Sequence, residues 1–195
     1  RMSSTFLRRR YDLRPVLREL FLSEHFYDGR IRAQQIKSPA QLVVGAVRSL
    51  LTPVRDLGVL LEAMDLMGQN LLMPPSVKGW DGGRSWINTS TLFVRQNTLS
   101  FLLTGRKPAG YDALASREKY EPHAALAELE RASPGASKDP EQLIDYLLRF
   151  MLGRSPDHAH RTLHEFVQNN GNQITTDMTV GLILLLRAVP EYQLC

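Results

Sequence analysis

Asp139-Pro140-Glu141-Gln142-Leu143-Ile144-Asp145-Tyr146-Leu147-Leu148-Arg149-Phe150-Met151-Leu152-Gly153 is the stretch that decides the fold class. Asp139 offers an oxygen to an orphan helix N–H, and Pro140 lacks an N–H where the first turn needs none. Gln142 follows Asp139 by three residues, the spacing of a capping box. Leu143, Ile144, Leu147, Leu148 and Met151 recur at the spacing that places them on one helical face. Gly153 supplies the left-handed stop. The segment is a helix with both of its ends written into it.

The same signals repeat along the chain. Ser38-Pro39, Thr52-Pro53 and Ser155-Pro156 are further cap-and-proline pairs, and Gln41 follows Ser38 by three. Leu13, Val16, Leu17, Leu20 and Phe21 line a first helix behind Asp12. Ala40, Val43, Val44, Val47 and Leu50 line a second. Leu57, Leu60, Leu61, Met64 and Leu71 line a third, expected to end near Met73-Pro74-Pro75. Leu92, Phe93, Leu99, Leu102 and Leu103 line a fourth, stopped by Gly105. A short helix is expected from Pro122 to Ala132. Leu163, Phe166 and Val167 stop at Gly171, and Met178, Leu182, Leu185, Leu186 and Val189 run to Pro190. No run alternates with period two over strand length. The expectation is an all-α compact multi-helix bundle of about seven helices, with a long ordered Gly/Trp-rich loop between the third and fourth. Residues 105–121 read as a loop or insertion. Ser133-Pro134-Gly135-Ala136-Ser137 is linker-like. The expected organisation is a helical block over 1–132 that carries the loop 74–90, a linker at 133–138 and a helical block over 139–195. All of it belongs to one structural domain, read as a fragment of a longer protein.

Composition narrows the function classes. The chain has 195 residues, 43% of them hydrophobic and 23% charged, which is enough apolar material for a core without staples. One cysteine, Cys195, excludes an intrachain disulfide and a multi-thiolate zinc site. The longest apolar run, Gly181 to Leu186, is far short of a membrane span. Residues 1–55 hold 11 Lys/Arg against 4 Asp/Glu, while the remainder carries a net negative balance. The basic excess centres on Arg8, Arg9, Arg10, Arg14 and Arg18. Without aromatic interleaving it reads first as a solvated face, and as a dock for anionic polymer second.

Residues 74–90 depart from this ordinary pattern: Pro-Pro-Ser-Val-Lys-Gly-Trp-Asp-Gly-Gly-Arg-Ser-Trp-Ile-Asn-Thr-Ser. They hold both tryptophans, Trp80 and Trp86, and a slack linker would forfeit the burial of two large aromatics. Gly79, Gly82 and Gly83 match neither the Walker nor the dinucleotide spacing. Two readings stay open. In one, the indoles plug a helix junction, and Asp81, Arg84 and Asn88 satisfy loop backbone groups. In the other, the loop walls a cleft in which Lys78, Trp80, Asp81, Arg84, Trp86 and Asn88 bind a ligand such as a sugar ring. Gln69, Asn70, Arg95, Gln96 and Asn97 flank the loop and are candidates to converge with it.

Catalytic constellations are thin. His160 and His164 share a helical face, but the glutamate that a zinc-protease helix needs after the first histidine is missing, so no metal site is expected. Glu24 and His25 are adjacent and point apart on a helix. There is no Gly-x-Ser-x-Gly elbow, and Cys195 has no scaffold after it. No cofactor is expected.

Lys37-Ser38-Pro39, Met67-Gly68-Gln69, Pro74 to Trp80 and Gly82-Gly83-Arg84-Ser85-Trp86-Ile87-Asn88 together resemble the bacterial family catalogued as domain of unknown function 1800. Tyr11-Asp12-Leu13-Arg14, Leu22-Ser23-Glu24-His25-Phe26 and Pro190-Glu191-Tyr192-Gln193-Leu194 fit the same family. The resemblance is strongest over 11–97 and weak over 105–138, and it places this chain in the C-terminal part of longer members. It implies export to the periplasm or cell surface. It also implies a partner resembling sulfatases and alkaline phosphatases, whose genes often lie nearby, and it carries over no reaction and no catalytic residue. The expected function is therefore a helical module that binds a partner protein or a glycan through the Gly/Trp-rich loop. The alternatives are part of a hydrolase-like enzyme completed by a missing N-terminal segment, and an anionic-polymer binder.

Overall fold

The computed structural model describes residues 1–31, 33–50, 56–105 and 120–195. The Thr52-Pro53 pair and most of the expected 105–121 loop lie outside them. Among the described residues the chain is all-α. Its helices are α1 (Met2–Arg8), α2 (Leu13–Phe21), α3 (Pro39–Leu50), α4 (Leu57–Leu66), α5 (Thr89–Thr104), α6 (His123–Ala132), α7 (Pro140–Leu152), α8 (Asp157–Asn169) and α9 (Thr176–Ala188). That exceeds the expected seven, chiefly because Met2–Arg8 forms a helix whose sequence carries no cap and little apolar periodicity. The helices fall into two compact units, residues 1–34 and 35–195.

In the first unit α1 packs on α2. Thr5 Oγ1 donates to Glu19 Oε2 at 2.7 Å, and Arg1 Nε pairs with Glu19 Oε1 at 2.9 Å. Asp12 caps α2 by accepting from the Arg14 N–H. None of the described residues of this unit is buried. Phe21, Phe26 and Tyr27 meet edge to face over the 24–27 turn, which holds Glu24 and His25.

The second unit holds the core. There α5 packs against α3, α4 and α9, and α7, α8 and α9 pack on one another. Leu42, Ala46, Leu99, Leu102, Ile144, Leu147, Leu148, Leu163, Leu182, Ile183 and Leu186 are all at most 1% exposed. Local chemistry sets the helix starts. Ser38 Oγ accepts from the Gln41 N–H while Gln41 Oε1 accepts from the Ser38 N–H, completing the expected box at α3. Asp139 accepts from the Glu141 N–H at α7, and Gln142 bonds its carboxylate rather than its backbone. Ser155 does not cap: Pro156 occupies the N-cap position of α8 and no side chain caps it. Gly105 and Gly153 stop α5 and α7 in the left-handed conformation.

One helix boundary differs from expectation. The third helix of the sequence reading, α4, ends at Leu66 and not near Met73. Gly68 turns the chain there with φ of +90°, so Leu71 packs on the core from outside the helix. Residues 133–138 carry a short 3-10 turn in which Ala136 is fully buried and Glu130 accepts from the Gly135 and Ser137 N–H groups. Residues 35–37 meet 193–195 in a short antiparallel bridge: Gln35 and Cys195 exchange backbone bonds of 3.3 and 2.8 Å, and the Lys37 N–H donates to Gln193 O at 2.8 Å.

Gly181 in α9 lies close against α8. A Cβ there would stand 2.7 Å from Phe166 Cζ and 3.0 Å from Cε1 on α8. Gly181→Ala is expected to lose about 1–3 kcal/mol to overpacking against a helix-propensity gain of up to about 1 kcal/mol. The net is a lower midpoint in urea titration, and Phe166→Leu in the same chain should recover most of it.

Candidate functional site

The loop between α4 and α5 is ordered by short-range bonds. The Gly79 N–H donates to Ser76 O, and the Ser85 N–H and hydroxyl both donate to Gly82 O. Residues 83–86 close a 3-10 turn. Gly82, with φ of +72°, lets that turn start. Trp86 is 7% exposed. A Cβ on Gly82 would lie 3.8 Å from its Nε1 and one on Gly68 3.8 Å from its Cζ3, so the indole lies close to Gly68 after α4 and to Gly82 before the 83–86 turn. Thr91 fixes the loop's exit: its Oγ1 accepts from the Asn88 N–H and donates to Trp86 O, while Asn88 Oδ1 accepts from the Thr91 N–H.

These bonds divide the six candidate residues. Trp86 is a buried anchor and Asn88 is the N-cap of α5. Lys78 Nζ and Asp81 Oδ1 pair at 3.0 Å with both side chains largely in solvent, a pair worth little energy. Arg84 is exposed and Trp80 is half-buried. The structure thus brings Lys78 to Asp81 and does not gather the six around one point. The flanking polar residues turn elsewhere. Gln69 Oε1 accepts from the Ala40 N–H at the start of α3. Gln96 Nε2 donates to Arg187 O at 3.5 Å.

Arg95 is the residue that sequence reasoning misplaced. It is fully buried, donating from Nη2 to Lys37 O at 2.7 Å and from Nη1 to Gln193 Oε1 at 3.1 Å. Burial pulls its guanidinium down to about 10. Lys37 Nζ donates to Tyr192 O at 2.7 Å and stands 4.1 Å over that ring, and burial lowers it too. The signal was present in the sequence, since Arg95 falls on the same face as Leu92, Leu99 and Leu102.

A second group lies on α7 and α8. His160 Nε2 stands 3.4 Å from Glu141 Oε2 and 3.7 Å from Asp145 Oδ1, and His164 Nδ1 contacts Glu141 Oε1. Among the described residues no group of three or more such side chains has the arrangement to hold a metal ion. Beside it a groove of about 510 Å³ runs between α6 and α7 over Leu129, Gln142, Tyr146 and Phe150. Arg8, Arg9, Arg10, Arg14 and Arg18 are all exposed in the first unit.

Trp86→Ala is expected to cost roughly 3–5 kcal/mol in chemical denaturation, and Trp80→Ala about 1–2 kcal/mol at its partial burial. Equal losses would contradict the division into anchor and rim. Tyr120 gives a pH prediction. It is buried, its hydroxyl has no partner among the described residues, and burial pushes it up to about 12. A phenol raised above its unfolded value of 10.0 contributes stability that is intact below pH 10 and lost as pH climbs to 12. Tyr120→Phe is therefore expected to decline less than wild type between pH 10 and 12, by about 2 kcal/mol at the upper end.

Comparison with known proteins finds no match among curated proteins and none among solved structures. A family model described as "Protein of unknown function (DUF1800)" matches residues 1–194, nearly the whole chain, and the protein belongs to that family.

Proposed function

We propose that the protein is a binding module that docks a partner protein on the apolar rim of its 72–80 loop. One observation carries this reading. Leu72 is 96% exposed, Met73 is 68% exposed and Val77 is fully exposed, on a loop tied down at its base by Trp86. Leu72 is also held at φ of +64°, a left-handed conformation that costs a residue with a side chain about 1–2 kcal/mol. Apolar side chains held out on an ordered, locally strained loop fit a surface shaped for contact. The half-buried Trp80 continues that edge, and the Lys78–Asp81 pair gives it the polar border typical of interfaces.

Aliphatic side chains favour a protein surface over a sugar. Stacking on a glycan needs an open indole face, and Trp86 is buried. Lys78 and Asp81 neutralise each other in solvent, so neither is a desolvated acid or base of the kind a hydrolase needs. The family resemblance supplies the candidate partner class, an alkaline-phosphatase-like or sulfatase-like protein, and an exported setting.

A photo-crosslinking residue placed at position 77 of the full-length protein in its native cell tests this. The expected result is one discrete adduct that is absent when the same residue sits at Arg154, and absent again with Leu72→Asp, whose thermal midpoint should match wild type. No adduct at 77, or an identical one at 154, would refute the reading. Retention on a polysaccharide column that survives Leu72→Asp would favour a glycan instead.

A further inference from the structure

None of the described residues of the 1–34 unit is buried, so this unit holds no core of its own. Glu19, bonded to Thr5, marks the side of α2 that packs on α1, and Val16 and Leu20 share that side, half-buried. Leu13, Leu17 and Phe21 recur every fourth residue on a second side and are 60%, 47% and 47% exposed. Phe26 lies edge to face with Phe21 at 5.0 Å and with Tyr27 at 5.2 Å, which extends the apolar stripe past the end of the helix.

Charge borders this stripe. Residues 1–34 hold eight arginines against four aspartates and glutamates. Arg1 and Arg30 engage Glu19 and Asp28, and Asp12 caps α2. Among the described residues Arg8, Arg9, Arg10, Arg14 and Arg18 join no ion pair, and all five are exposed. Arg14 follows Leu13 by one residue and Arg18 follows Leu17 by one, so the two arginines form a row about 100° further round the helix. Arg8, Arg9 and Arg10 precede the helix on the Leu13 side.

An apolar ridge edged with unpaired guanidinium groups matches the chemistry of an anionic bilayer. Lipid phosphates accept paired N–H bonds from arginine, and the acyl region takes the apolar side chains. The shape favours lipid over a folded protein. Two clefts of the unit open over Pro15, away from Leu17 on α2, so the stripe itself stands out as a ridge and a fluid surface can yield around it.

We propose that residues 11–27 form a membrane-surface contact, with Leu13, Leu17 and Phe21 laid into an anionic bilayer and Arg14 and Arg18 on its phosphates. No helix among the described residues is long and apolar enough to cross a membrane, and this contact lies in the plane of the surface. It is independent of the 72–80 loop.

Co-sedimentation of the purified full-length protein with lipid vesicles tests the contact. The protein is expected to bind vesicles of phosphatidylglycerol and phosphatidylcholine in equal amounts, less tightly as salt rises, and to bind phosphatidylcholine alone at least about tenfold more weakly. Arg14→Ser together with Arg18→Ser should weaken binding to the mixed vesicles by about thirtyfold. Leu17→Asp should weaken it by about tenfold or more, with the far-ultraviolet circular dichroism of wild type. Leu72→Asp should bind as wild type does. Absence of binding, equal binding to both vesicles, or a loss with Leu72→Asp would overturn the proposal. Binding that falls with the arginine pair but not with Leu17→Asp would refute it too, as a contact of charge alone. Should Leu17→Asp lose helicity, Leu13→Gln takes its place, and an unchanged affinity in that variant counts against the contact.

Discussion

The second unit depends on where the Arg95 guanidinium goes. From the middle of α5 it reaches a backbone oxygen 58 residues earlier and a side-chain oxygen 98 residues later. Those two partners lie on the two sides of the 35–37 and 193–195 bridge, so one side chain fixes both ends of the unit to its central helix. Lys37 reinforces the junction from the other side, through its bond to Tyr192 O and its position over that ring. Two cations enter a low-dielectric region here, and they do so almost entirely on neutral oxygens. Hydrogen bonds from charged donors are stronger than neutral ones, which makes such a junction worth its desolvation only if its geometry is kept.

The Gly/Trp loop follows a different logic. Its order comes from contacts within about twenty positions: Gly68 and Gly82 shape the space that Trp86 fills, and Thr91 and Asn88 lock its exit onto α5. Holding the base so firmly is what allows the apex to stay exposed without collapsing onto the core. The two tryptophans therefore divide the work, one as foundation and one as edge.

How much of this was legible follows from how local each determinant is. The starts of α2, α3 and α7 and the stops of α5 and α7 were readable because a cap and its N–H lie within three residues, and a left-handed glycine acts on its own turn. Ser155 misled for the same reason: cap, proline and spacing were present, yet the turn chosen left its oxygen unused. Two indoles among glycines marked the loop as unusual and left two readings of it open. The destinations of its polar residues were not legible. Gln69, Arg95 and Gln96 sit near the loop in sequence and satisfy groups on α3, α9 and the 190–193 turn, because long-range partners are selected by tertiary packing and leave no spacing signature. Arg95 shares the apolar stripe of Leu92, Leu99 and Leu102, but its place beside the loop in sequence pointed toward the loop and not toward the core.

The short bridge of 35–37 with 193–195 has one more consequence. It sets the first and last residues of the larger unit side by side, so whatever polypeptide adjoins them enters and leaves through a single doorway. A globule wired this way behaves as a cassette: it can hang from, or be spliced into, a larger assembly without its interior being threaded or stretched.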